Sequence, residues 1–424
     1  MSGWLAGYRA LDLTDERGLL AGQMLAKLGM DVIQIEPPAG SRARQVAPRD
    51  EHGGSYVWSA YAAGKRGITL DIGAPEGREL LLRLVESADF LFESEAPGRL
   101  ATLGLDQATL RARNPRLIHV SITPFGSDGP KRDYADAELV LWASGGPLHP
   151  SRDVAGPPLR ISVPQAYLHG AADGAAGALI AHFARVQTGR GQHVDISVQQ
   201  SVTQATLGSH FAAAVGHADY SYLPKAPSTR GGAGRKPLDL SGSGARTRRS
   251  KWVVRDGLVE MHLGIGPAAG GRTNVLFEWM AEHGAVPEAM RAWDWVTIPQ
   301  RILADEITED DIDEARDHVA RFLAQFTKAE VQREAFARKL MLAPVNDIGD
   351  LLASEQLAAR GFFVTVDEGG SPRTLPGAFA SGAEGMFAPP RGAPGLGEHN
   401  DAVYGELLGL GADERARLAA RGVI

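Results

Sequence analysis

Cysteine is absent from all 424 residues, and this one absence removes disulfides, thiolate metal sites and cysteine nucleophiles together. No stretch approaches the ~20 uninterrupted apolar residues that a membrane-spanning helix needs. The balance of 44% hydrophobic and 22% charged residues is that of a globular chain rather than a membrane protein. A positive excess is also lacking. The formal net charge of −7 argues against a nucleic-acid partner, whose phosphates require a concentrated basic surface, while leaving room for a local small-anion site. The opening MSGWLAGYRALDLTDERG has no basic region followed by an apolar one, so a cytoplasmic location is expected.

Several common chemistries are missing as well. The first strand-to-helix turn, LDLTDERGLLAG, lacks the G-x-G-x-x-G that brings backbone against a pyrophosphate, so a nicotinamide dehydrogenase is poorly supported. There is no G-x-x-x-x-G-K-[ST] loop, no G-x-S-x-G elbow and no H-E-x-x-H helix. His169 and Asp173 lie four apart on one helical face, but two ligands without a third make no metal site, and no metal is expected. The acidic segment ADEITEDDIDEARDHVARFLAQF reads as an exposed helical face.

What is present is an alternation of short β-type runs with helical patterns over the first 130 or so residues, the signature of βαβ units and a parallel sheet. RALDLT predicts a strand. GLLAGQMLAKLG predicts a helix with Leu20, Met24 and Leu28 on one face, and DVIQIE the next strand. GITLDI, DFLFES and LIHVSITPFG continue the strands, with APEGRELLLRLVESA as a helix carrying Pro75 in its first turn. The Ala/Gly-rich run PQAYLHGAADGAAGALIAHFAR predicts a helix packed closely on another backbone, and TGRGQHVDISVQQSV a turn, a strand and a helix.

A Gly, Ser, Pro and basic stretch from 224 to 251 predicts a linker. WVVRDGLVEMHLGIG then predicts a hairpin turning at Asp256-Gly257. The expected organisation is a large α/β domain over 1–223, the linker at 224–251, a small domain over 252–330, and a return to the large domain over 331–424.

Taken in order, LAGQMLAKLGMDVIQIEPPAG, GKRGITLDIGAPEGRELLLRLVESADFLFES, APGRLATLGLD, NPRLIHVSITPFGSDGP, TGRGQHVDIS, MLAPVNDIGDLLASEQLAARGFF and APGLGEHNDAVYGELLGLG resemble the family III CoA-transferases end to end. That group includes formyl-CoA transferase, carnitine CoA-transferase and α-methylacyl-CoA racemase. The resemblance implies a Rossmann-like large domain with a smaller α+β domain, and two chains interlocked as a dimer. It implies acyl-CoA and a carboxylic acid as substrates, with no metal. It also implies an aspartate that attacks the thioester to form a mixed anhydride, converting one hard exchange into several easier steps.

The family's aspartate falls in SVPQAYLH, where this chain has Tyr167. A phenol, with an unperturbed pKa near 10, is a poor nucleophile at neutral pH. The nearby carboxylates are Asp173, six residues on, and Glu138, which stands at another family aspartate. A tyrosine with a satisfied hydroxyl and a helix-surface aspartate are the plainer readings of Tyr167 and Asp173. For CoA the resemblance points to Arg42, Lys65 and Leu70, with Arg44 and Arg66 as basic neighbours. Gly73, Ser94 and Glu95 depart from the family's pattern around the same ligand.

Two readings accommodate these departures: the aspartate-lacking chain of a two-subunit transferase of the benzylsuccinate type, whose homologous partner carries the aspartate, or a self-sufficient chain using Asp173 or Glu138. A racemase or isomerase and a non-catalytic scaffold are further alternatives.

Overall fold

The computed structural model describes residues 3–148, 159–207 and 251–424. They divide into two compact units, Met1–Tyr222 with Ala358–Ile424 and Leu223–Leu357. The expected linker lies outside the described residues except for Lys251.

In the first unit the six β-type runs form β1 (Arg9–Asp12), β2 (Asp31–Glu36), β3 (Arg66–Thr69), β4 (Phe90–Glu93), β5 (Ile118–Thr123) and β6 (His193–Ser197). Every pairing is parallel, and the order β3-β2-β1-β4-β5-β6 is that of a doubly wound sheet whose direction of growth reverses between β1 and β4. Alternate strand residues serve opposite faces. Leu11, Ile33 and Leu91 enter one core cluster, while Ala10, Val32 and Phe90 enter the other.

Among the helices of this part are α1 (Leu19–Lys27), α2 (Pro75–Glu86), α3 (Glu138–Gly145), α4 (Ala166–Thr188) and α5 (Val198–Thr203). Helix α1 forms where expected, but its most buried face carries Ala21, Gly22 and Leu25. Leu20 and Met24 are only partly covered. The glycines of α4 let it lie directly on its neighbours. A Cβ at Gly174 would meet Ile122 at 3.0 Å, and one at Gly177 would meet Val194 at 2.9 Å.

The second unit is built on an antiparallel sheet of β7 (Lys251–Val254), β8 (Gly257–Met261) and β9 (Leu342–Val345). It carries α6 (Gly270–Glu282), α7 (Glu309–Leu323) and α8 (Lys328–Arg338). Two expectations are corrected here. The hairpin pairs Val254 with Gly257, so Arg255 and Asp256 make the turn; Asp256 is held there by accepting the Lys328 amide at 2.7 Å. The chain also stays in this unit until Leu357 rather than leaving at 331, because Val331 of α8 enters its core and β9 pairs with β8. The acidic helix α7 buries Ile312, Ala315, Val319, Phe322 and Leu323, while its N-terminus is closed by a capping box between Thr308 and Asp311.

Candidate active site

In an open parallel sheet the loops leaving adjacent strand ends diverge where the order reverses, and ligands bind in the crevice this creates. Here that point lies beyond the carboxyl ends of β1 and β4. Beneath it the Lys65 ammonium is completely buried and donates to Asp12 at 2.7 Å, the Leu19 carbonyl at 2.9 Å and Gln34 at 2.9 Å. Burial pushes the Lys65 ammonium below its ordinary pKa, against the pull of Asp12. Gly22 makes room for this pair, since a Cβ there would fall 2.1 Å from the Asp12 carboxylate. All three Lys65 protons are used, so its side chain anchors the sheet.

Above this base Asp15 organises the loops. It accepts two bonds of 2.9 Å from Arg17 and a hydroxyl bond of 3.0 Å from Ser94, and pairs with Arg42 at 3.3 Å. Burial works to raise the Asp15 pKa, but Arg17 and Arg42 together hold it below the usual carboxylate range. Arg42 also reaches Glu16 at 2.5 Å and keeps its side chain 65% exposed. Leu70 follows β3 with its side chain in the core and its amide bonded to the Glu36 carbonyl, so only its backbone is on offer at this edge. Arg44 is held by Glu36 at 2.6 Å and stacks on Trp58.

The third wall is the start of α4. The Glu138 carboxylate accepts the Gln165 and Ala166 amides, at 2.5 and 2.9 Å, and the Trp142 indole at 2.7 Å, satisfying amides that the helix itself leaves orphaned. Tyr167 packs against the core and donates its hydroxyl to Asp136. Asp136 in turn is one of the charges that raise the pKa of Arg17, against its burial. Asp173, further along α4, accepts from Gln204 at 3.2 Å. His169 lies edge-on to Trp142, and among the described residues no group of three metal-binding side chains forms.

Sequence reasoning missed Asp15, Arg17 and Asp136. The TDER turn directly after the first strand could have pointed to the first two. Asp136 had no signal of its own, being two residues from the position that the resemblance picks out. It also missed a polar cluster beside the crevice, where the Glu93 carboxylate lies 3.8 Å from His119. Ser121 bonds His193 at 2.8 Å, and Glu93 accepts the Glu95 amide at 2.7 Å. Burial pushes the Glu93 carboxyl up to about 7 and, with His193 nearby, the His119 imidazole down to about 3.

A cavity of about 550 Å³ lies elsewhere, lined in part by Arg9, Asp31 and Arg66 at the amino ends of their strands.

The profile of CoA-transferase family III matches residues 5–226 and 281–400. The chain belongs to CoA-transferase family III. Over 410 residues this family III chain is 31% identical to the succinyl-CoA:(R)-benzylsuccinate CoA-transferase subunit BbsE of Thauera aromatica, covering 94% of this chain and 93% of that one. It is 28% identical over 426 residues to the succinyl-CoA–L-malate CoA-transferase beta subunit of Chloroflexus aurantiacus, covering 99% and 98%. A CaiB/BaiF family protein from Brucella suis shares the fold, with a TM-score of 0.77 at 24% identity, covering 96% of this chain and all of that one. The chain is thus a CoA-transferase by family, and CoA-transferases use CoA thioesters as substrates.

Proposed function

We propose that this chain is a subunit of a transferase that moves CoA from an acyl-CoA donor such as succinyl-CoA to a carboxylic acid, working in an interlocked assembly with a homologous chain that carries the family's aspartate. The observation that carries this reading is Tyr167, which occupies the aspartate's place with its hydroxyl committed to Asp136, next to a Glu138 whose carboxylate is used to close the start of α4. Relatives named as subunits of succinyl-CoA-dependent transferases support it. So does the apolar stripe on α4, where Ile180, Phe183 and Val186 are 71, 70 and 68% exposed, a surface suited to a second chain.

In this reading Arg42 meets the phosphates of CoA with its exposed guanidinium, and the backbone at Leu70 lines the same path. Arg17 and Ser94 order the crevice around Asp15. Closing the crevice matters because water would hydrolyse an acyl anhydride.

The test is to express the chain alone and together with an aspartate-bearing homologue, then follow CoA exchange from succinyl-CoA to a series of carboxylic acids. Exchange by the combined chains is expected. No exchange with either preparation across the series would overturn the reading.

A further inference from the structure

We propose that Asp136 is a carboxylate that carries the acyl group on this chain, held in place by the Tyr167 hydroxyl. The inference rests on the transferase reading and adds to it a reacting centre on this chain, beside the aspartate that a homologous subunit brings.

Acyl transfer through an anhydride needs a carboxylate that is fixed in direction, keeps an oxygen free and is open to a substrate. Most carboxylates around the crevice fail one of these conditions. Asp15 is spent on Arg17, Arg42 and Ser94, and Glu16 is paired with Arg42. Glu93 is buried. Glu138 gathers three donors on one oxygen and closes a helix end. Asp173 is engaged by Gln204 and sits six residues beyond Tyr167, roughly 9 Å along the helix axis. No described hydrogen bond orients the Glu95 side chain.

Asp136 meets all three conditions. It is half-buried, one oxygen receives the Tyr167 hydroxyl, and among the described residues Asp136 makes no other hydrogen bond or ion pair. A phenol is a weak acyl carrier but a good hydrogen-bond donor. The longer side chain at 167 therefore reaches across to a carboxylate on the facing loop and directs it.

The steps balance without another reactant. The free Asp136 oxygen attacks the thioester carbon, forming a C–O bond as the C–S bond breaks and CoA leaves as thiolate. The thiolate attacks the Asp136 carbonyl carbon, releasing the donor acid and leaving an aspartyl-CoA thioester. The acceptor carboxylate displaces the thiolate to form a second anhydride. The thiolate then attacks the acceptor's acyl carbon and returns Asp136 as a carboxylate. Tyr167 is a positioning residue throughout.

The experiment incubates the full chain, with its aspartate-bearing homologue present, with succinyl-CoA and hydroxylamine, and locates the hydroxamate by peptide mass spectrometry while CoA exchange is measured in parallel. A hydroxamate at Asp136 is expected, abolished in Asp136→Asn and restored in part by Asp136→Glu. Tyr167→Phe should label the same residue about tenfold to a hundredfold more slowly with an unchanged half-saturating succinyl-CoA concentration, a split that a merely structural tyrosine would not produce. Label at Asp173, Glu138 or another residue of this chain, or exchange with no label on this chain, overturns the inference and leaves the transferase reading intact. Absence of both exchange and label overturns both.

Discussion

The two halves of the parallel sheet differ in how they treat buried charge on their strands, whereas on the covering helix of the second half Arg185 is buried and paired with Asp89 at 3.0 Å. In the β1–β2–β3 half every buried charge has a partner of opposite sign: Lys65 with Asp12 at 2.7 Å, and Glu36 with Arg44 at 2.6 Å. In the β4–β5–β6 half Glu93 and His119 face each other at 3.8 Å, and neither His119 nitrogen has a hydrogen-bond partner among the described residues. Paired charges are costly to break and make a fixed base. Poorly compensated ones move toward neutrality and respond to pH. The rigid half thus lies under the Asp15 loops, and the titrating half under the Ser94–Glu95 loop on the other side of the same crevice.

The largest effect should come from breaking the rigid half. Lys65→Met leaves Asp12 as an uncompensated buried charge and should cost ~3–5 kcal/mol in denaturant unfolding. Adding Asp12→Asn should recover much of it. No recovery would mean that packing rather than charge dominates at this site.

The titrating half should show itself in pH dependence. Burial pushes the folded Glu93 carboxyl up to about 7, above the ordinary 4.5. The folded state therefore holds a proton that the unfolded state has released, and stability from this group falls as pH rises from 4.5 to 7. Burial, with His193 nearby, pushes the folded His119 imidazole down to about 3, below the ordinary 6.5. The unfolded state binds the extra proton, and stability is lost as pH falls below 6.5. Between 4.5 and 6.5 the two slopes cancel, because each state holds one proton on the pair.

Glu93→Gln should remove that cancellation. It should gain ~3 kcal/mol at pH 8, where the wild-type carboxylate is charged and buried. Below pH 6.5 it should lose about 1.4 kcal/mol per pH unit. Unfolding free energies from pH 4.5 to 8 that run parallel in the two proteins would refute the uncompensated reading of this half.

The smallest effect concerns the same contrast over two residues, Glu138 and Asp136. Glu138→Ala, which strips two hydrogen bonds from the start of α4 and one from the Trp142 indole, should cost ~2 kcal/mol. Asp136→Asn should leave the unfolding midpoint within about 0.5 kcal/mol of wild type, because a single partner depends on it. Equal losses would erase the distinction between a structural and an available carboxylate.

Much of the fold was legible because local patterning carries it. Short apolar runs bounded by turn residues place all six parallel strands, and the Ala/Gly-rich run places α4. The hairpin turn was read one residue late, since an Asp-Gly pair looks like a turn by itself and only the Lys328 amide bound by Asp256 shows how it is used. The return to the large unit was placed too early because β9, with Pro344 inside it, is recognisable as a strand only once β8 is beside it.

The site was less legible. Tyr167 and Arg42 were singled out only by their positions, and their surroundings, Asp136 for one and Asp15 and Glu16 for the other, came from the structure. The burial of Lys65 was not legible, because a lysine before a strand looks solvent-facing until its buried partners, 31 to 53 residues away, are known.

What the sequence by itself determined is the alternation of strands and helices and the family, since each is written in neighbouring residues or in the order of motifs. What only the tertiary structure decided is which charges meet. A carboxylate's role depends on the donors around it, and Lys65 at Asp12, Tyr167 at Asp136 and the Gln165 and Ala166 amides at Glu138 arrive from distant parts of the chain, so that the same side-chain chemistry anchors a sheet, waits beside a tyrosine, or closes a helix.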